Sequence, residues 1–133
     1  MTSDSPAPTW AVIAGGGTAG HLLPGLAVSR ELVERGHSRD EIHFVGASRG
    51  IEAELVPAAG FGITLLPGRG VQRKLTMANI GAVVGLVRAM FQAVVLVRRR
   101  RPKVVLTLGG FASAAVAIAA VLWRIPLVVA EQN

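Results

Sequence analysis

Trp10-Ala11-Val12-Ile13-Ala14-Gly15-Gly16-Gly17-Thr18-Ala19-Gly20-His21 is an apolar run followed at once by a glycine-rich turn. The run from Trp10 to Ala14 predicts a short buried strand. A helix is expected from about Leu23 to Arg35, because Leu22, Leu26, Leu32 and Val33 recur at mainly helical spacing, with Pro24 in the first turn and Gly36 free to close it. Gly15-x-Gly17-x-x-Gly20 therefore lies between a strand and a helix. There glycine permits close backbone approach, and the N–H groups at a helix start face an anion. In that context the pattern points to a phosphate-bearing ligand; a tight turn with no ligand is the plainer alternative.

Outward from this unit the strand–helix alternation continues. Strands are expected at Ile42–Val45, Gly62–Leu66, 104–108 and Leu127–Ala130. Helices are expected at Glu52–Ala59, from about Leu75 to Arg100 (in one or two pieces) and at 112–124. Strands alternating with helices predict an α/β fold with a doubly wound parallel sheet and right-handed crossovers. Residues 1–8 read as a polar tail and 9–133 as one domain. A chain of 133 residues is long enough to bury about two thirds of its unfolded surface.

A second glycine pair, Gly109-Gly110, ends the fourth predicted strand. In a sheet of order 3-2-1-4-5, strands one and four are neighbours whose crossovers leave in opposite directions, and ligands bind at that switch point. The two glycine loops then share one crevice, which suits a diphosphate. His21, directly after the first loop, is a candidate general base, with a structural histidine as the alternative. A dinucleotide site normally carries an acid at the end of the second strand, where this chain has Val45-Gly46-Ala47-Ser48-Arg49. That disfavours NAD but leaves an NADP module open, with Arg49 on the 2′-phosphate. His37 and His43 receive no role. With no cysteine and no clustered histidines and carboxylates, neither a resident metal nor a thiol nucleophile is expected.

The formal net charge is +6, but it is unevenly divided. Residues 1–68 carry a net of −3 and residues 69–133 a net of +9, with no acid between Glu54 and Glu131. Such asymmetry implies a polyanionic surface as partner. Ile80, Val83, Val84, Val87 and Phe91, with Met90 and Val94, form an apolar stripe that Leu75, Leu86 and Val97 widen to about half the helix circumference. Arg73, Lys74 and the run Arg98–Arg101 flank it. Surplus apolar surface framed by cations suits an anionic bilayer surface; a buried crossover helix with a solvated basic end is the alternative. Nucleic acid is less favoured, since tyrosine is absent and the few aromatics are not interleaved with the basic run. The uncharged 20-mer Val104–Trp123 has the hydropathy of a span, yet a buried strand and crossover helix broken at Gly109-Gly110 explain it better.

Gly15-Gly16-Gly17-Thr18-Ala19-Gly20-His21-Leu22-Leu23-Pro24-Gly25-Leu26-Ala27 resembles the first glycine loop of the MurG-type glycosyltransferases. Further matches are Glu52-Ala53-Glu54-Leu55-Val56-Pro57, Arg101-Pro102-Lys103-Val104-Val105-Leu106, Gly109-Gly110-Phe111, and Ile125-Pro126 leading to Glu131-Gln132-Asn133. They occur in family order and cover residues 10–133. The resemblance implies a Rossmann-like domain, the N-terminal, acceptor-side half of a GT-B enzyme, with the C-terminal donor domain absent and the isolated chain inactive. The implied reaction passes N-acetylglucosamine from UDP-GlcNAc to undecaprenyl-pyrophosphoryl-MurNAc-pentapeptide in peptidoglycan synthesis, without a cofactor, at the cytoplasmic face of the bacterial plasma membrane. It implies that Thr18, Ala19, Gly20 and Asn133 contact the donor and that His21 is the base. Gly15, Gly16, Gly17, Gly109, Gly110 and Phe111 would cradle the acceptor diphosphate. The family's membrane patch falls on Arg73 to Phe91. Ala19 stands where the family usually has Gly, Phe111 where it has Tyr, and Ala130 where it has His; a Pro usual shortly after Ser113 is missing. A non-catalytic membrane-recruiting subunit of a split transferase is a further alternative.

Overall fold

The computed structural model describes residues 8–16, 18–48, 50–67 and 77–130. Among the described residues ten elements follow one another: strand β1 (Ala11–Ala14), helix α1 (Ala19–Glu34), a single 3-10 turn (Arg39–Glu41), β2 (Ile42–Ala47), α2 (Glu52–Ala58), β3 (Gly62–Leu66), α3 (Met77–Arg100), β4 (Val104–Thr107), α4 (Phe111–Leu122) and β5 (Leu127–Val129). All strand pairings are parallel, in the order β3-β2-β1-β4-β5. The doubly wound parallel sheet is therefore as the alternation of elements predicts, and its order is the one in which β1 and β4 are neighbours. Ala14 pairs with Val45 on one side and Thr107 on the other, so β1 and β4 end level at the carboxyl edge while β2 runs two residues further.

The pleat sends alternate residues of β1 to opposite layers. Ile13 joins Phe44, Leu22, Leu26 and Val56 beneath α1 and α2. Val12 and Ala14 join Val45, Val105 and the small inner faces of α3 and α4, including Ala89, Ala93, Ala115 and Ala119. Burying a side chain such as Phe44 or Ile13 contributes about 1.5–3 kcal/mol, so these two clusters anchor the sheet. Small residues let both helices sit close against it.

Several boundaries differ from the sequence expectation. The first helix starts at Ala19, one turn before Leu23, so His21 lies within its first turn. Pro24 is then a second-turn residue that lacks the N–H directed at the Gly20 carbonyl. β2 runs on to Ala47, while β4 stops at Thr107 and β5 at Val129. The third helix is unbroken from Met77 to Arg100. It stops without glycine: Arg101 takes a left-handed conformation (φ 44°), and Pro102 bars continuation.

The larger correction concerns how far the outer apolar stripe of α3 extends. Val97, expected to widen the outer apolar stripe, is fully buried with Ala89 and Ala93. Met90 and Val94 are partly covered. Periodicity locates a stripe on a helix but not its limits, which depend on the surfaces packed against it.

Candidate functional site

Two loops meet where β1 and β4 end. The first carries Gly15 and Gly16 to Thr18, which precedes α1 in an extended conformation. The second is Gly109-Gly110, with both residues in the left-handed region (φ 105° and 93°), where a side chain would be strained. They also lack room for one. A Cβ on Gly110 would stand 2.8 Å from the Gly16 carbonyl oxygen, and one on Gly109 would stand 3.1 Å from Nε2 of His21. A Cβ on Gly15 would stand 2.9 Å from Cβ of Leu108. The glycines are thus required by mutual approach of the loops as well as by conformation. By helix geometry, the first N–H groups of α1 (Ala19, Gly20) and of α4 (Phe111, Ala112) have no carbonyl one turn back. They are donors available to an anion at the crevice.

His21 is half-buried between these loops. Its Nδ1 lies 3.2 Å from the Gly16 carbonyl oxygen and 3.3 Å from Oγ1 of Thr18. A carbonyl only accepts, so Nδ1 carries the hydrogen and donates it. Nε2 is then the acceptor nitrogen of the neutral ring, and it lies over Gly109. A base whose other nitrogen is tied to the backbone has a defined orientation, which proton abstraction needs.

Thr18, Ala19 and Gly20 are exposed at the start of α1. Ala19 is helical with a negative φ, so its methyl meets no glycine-only conformation. Phe111 is the first residue of α4 and packs partly against the core. Gly17, Arg49, Arg73, Lys74 and Asn133 lie outside the described residues.

Two buried polar residues hold the loops, and neither was singled out for such a role from the sequence. The Ser113 hydroxyl lies 2.7 Å from the Ala14 carbonyl and 2.8 Å from the Gly109 carbonyl, which share its one proton. It accepts from the N–H groups of Gly109 (3.0 Å) and Leu108 (3.3 Å). One hydroxyl therefore ties the end of β1 to the second loop. Its signal in the sequence is a lone hydroxyl four residues after Gly109, in an otherwise apolar helix. Glu52, fully buried at the start of α2, accepts the Ala47 N–H at 2.8 Å. Its side chain fills the space where a Cβ on Gly16, Gly46 or Gly50 would stand. The β1–β2 side of the first loop is therefore occupied by the protein itself, where a dinucleotide would place its ribose.

Farther off, Ile80, Val83, Val84, Val87 and Phe91 are all exposed on α3, Phe91 by 70%. Gly81 faces open space. Among the described residues no helix is long and apolar enough to cross a membrane. His37 stacks on Trp10 and pairs with Glu41 at 2.8 Å; this hydrogen bond foremost holds the Glu41 carboxyl below its usual range. His43 is bonded to Oγ1 of Thr64 at 2.7 Å. Burial, and secondarily the Arg100 guanidinium, push its imidazole down to about 4.

Comparison with known proteins agrees with this architecture. The family described as Glycosyltransferase family 28 N-terminal domain matches residues 11–133. The UDP-N-acetylglucosamine--N-acetylmuramyl-(pentapeptide) pyrophosphoryl-undecaprenol N-acetylglucosamine transferase of Anaeromyxobacter sp. (strain Fw109-5) is 44% identical over 122 residues, which are 92% of this chain and 32% of that protein. The protein of the same name from Myxococcus xanthus is 42% identical over the same extent. Among solved structures, Acinetobacter baumannii MurG superposes with a TM-score of 0.79 at 25% identity, covering 95% of this chain and 36% of that one. The glycosyltransferase SnogD from Streptomyces nogalater shares the fold (TM-score 0.61, 16% identity, 92% of this chain and 33% of that one). The chain spans about a third of the length of the curated relatives it matches. On these grounds the chain belongs to glycosyltransferase family 28, as an example of its N-terminal domain.

Proposed function

We propose that this domain supplies the acceptor side and the membrane contact of an inverting N-acetylglucosaminyltransferase. The donor would be UDP-GlcNAc and the acceptor undecaprenyl-pyrophosphoryl-MurNAc-pentapeptide. The observation that carries this reading is the convergence of Gly16, Gly109-Gly110 and the Nε2 nitrogen of His21 on one crevice at the β1–β4 switch point. The names of the relatives supply the substrates, and the geometry supplies a reason for each part of the site.

The acceptor diphosphate lies against the helix starts at Ala19 and Phe111, where backbone donors and helix dipoles favour negative charge. Nε2 of His21 takes the proton of the MurNAc 4-hydroxyl as its oxygen attacks C1 of GlcNAc. The bond from C1 to the UDP oxygen breaks, UDP leaves with the electron pair, and the configuration at C1 inverts. The Gly16 carbonyl holds the ring through Nδ1 and stabilises the imidazolium as it forms. Thr18, Ala19, Gly20 and Asn133 contact the donor, which the C-terminal domain of the complete enzyme binds. The apolar stripe from Ile80 to Phe91, framed by Arg73, Lys74 and the basic end of α3, docks on the anionic surface of the cytoplasmic membrane leaflet. That contact brings the crevice to a substrate whose lipid stays in the bilayer.

No observation favours an NADP module, because Glu52 fills the side of the loop that a dinucleotide would need. The test is His21→Ala in the full-length enzyme. Loss of a positioned base lowers kcat by roughly 10²–10⁴-fold with little change in KM. Near-normal kcat would return His21 to a structural role.

A further inference from the structure

The geometry points to Glu52 as a positioning residue that orients His21 through Gly16. Three contacts make the chain. The Glu52 carboxyl group is fully buried and accepts the Ala47 N–H at 2.8 Å, which ties it to the end of β2. The same side chain occupies the space above Gly16, Gly46 and Gly50 where any Cβ would overlap it. The Gly16 carbonyl, on the residue Glu52 presses against, accepts from Nδ1 of His21 at 3.2 Å.

The first loop is thus gripped from both sides. Gly110 closes on the Gly16 carbonyl from the β4 side, where a Cβ would stand 2.8 Å away. Glu52 closes from the β2 side. With one jaw removed, the Gly16 peptide gains room to rotate, and the acceptor that fixes the imidazole moves with it. Glutamate suits this place because its side chain reaches from the start of α2 to the first loop while one of its oxygens accepts from the Ala47 N–H. Apolar side chains of similar length leave the Ala47 N–H buried without a partner, a cost of about the size of a lost hydrogen bond. Aspartate is one methylene too short to make both contacts. The consequence for turnover rests on the reading of His21 as the base; the positioning itself does not.

The experiment compares Glu52→Gln, Glu52→Asp and Glu52→Ala in the 133-residue chain by NMR of the ring nitrogens and carbons of His21, with His37 as internal reference. Glu52→Gln keeps the size and one acceptor oxygen and is the conservative control; if Glu52→Ala fails to fold, Glu52→Asp, which keeps the carboxylate, carries the test. The expected result is a changed His21 ring signature and faster hydrogen exchange at the Gly16 and His21 amides in the Asp and Ala variants. His37 stays unmoved, and Gln restores most of the wild-type pattern. An unchanged His21 signature in folded Glu52→Asp or Glu52→Ala overturns the proposal, as does a fully wild-type-like loop in every variant. In the full-length enzyme, Glu52→Asp should lower kcat about 10–100-fold with KM nearly constant, the scale expected for a catalytic group displaced by about an ångström. A moved ring with unchanged kcat leaves the positioning standing and removes His21 from the base role instead.

Discussion

The carboxyl edge of the sheet and the outer face of α3 depart from ordinary packing in opposite directions. At the edge, side chains have been removed: Gly15, Gly16, Gly109 and Gly110 bring two backbones into contact, and buried polar groups hold them. On α3, side chains have been left uncovered: five large apolar residues stand in the open while alanines of the same helix pack inward. The first arrangement leaves backbone donors open at a crevice between two helix starts. The second leaves apolar area whose burial awaits another surface. A change of one methyl should therefore be costly at the edge, and a change of a whole side chain should be cheap on α3.

That contrast can be broken most sharply at Gly110. Gly110→Ala adds a Cβ at a φ of 93° and 2.8 Å from the Gly16 carbonyl. We expect it to cost about 3 kcal/mol in denaturant unfolding, from backbone strain and the forced separation of the loops. A loss below about 0.5 kcal/mol would mean that the loops do not interlock.

The interior between these regions gives a slightly smaller effect, read as pH dependence. The folded His43 imidazole is held near 4, by burial first and Arg100 second, whereas the unfolded group titrates near 6.5. The unfolded chain therefore binds more protons between these values. The contribution to stability is present above about pH 6.5 and is lost as pH falls towards 4, amounting to about 2–3 kcal/mol. Unfolding midpoints measured at pH 7 and 4.5 should show the drop, and His43→Asn should flatten it. An equal slope in that variant would assign the drop to other groups.

The smallest effect on stability belongs to α3. Val87→Ser together with Phe91→Ser should change unfolding free energy by no more than about 0.5 kcal/mol per site, because both side chains are exposed. The same pair should abolish flotation with vesicles containing anionic lipid. Retained flotation would detach the apolar stripe from membrane contact, and a large loss of stability would show that the stripe is covered.

Legibility in the sequence divides along a similar line. The glycine loop, the second glycine pair and the strand–helix alternation could be read because each is a local pattern with a local cause. Glycine spacing reports where the backbone must turn, and alternating strand and helix periods imply parallel crossovers. His21 was legible as a candidate for the same reason, although its place inside α1 was not, since Ala19 and Gly20 are weak signals for a helix start. Glu52 and Ser113 escaped notice as support for the loops. Glutamate at a helix start and serine in a first helical turn are ordinary residues there, and their importance arises from burial against backbone up to 99 residues away, such as the end of β1 at Ala14.

The amino-acid order was enough for the α/β class and for the glycine turns at the ends of β1 and β4, because periodicity and φ preference act over a few residues. Folding in three dimensions added the strand order, the grip of Glu52 and Ser113 on the glycine loops, the orientation of the His21 ring, and the limits of the outer stripe on α3, where Val97 turns inward. Those depend on which surfaces meet, and burial is a sum over neighbours distant in the chain that no short stretch contains.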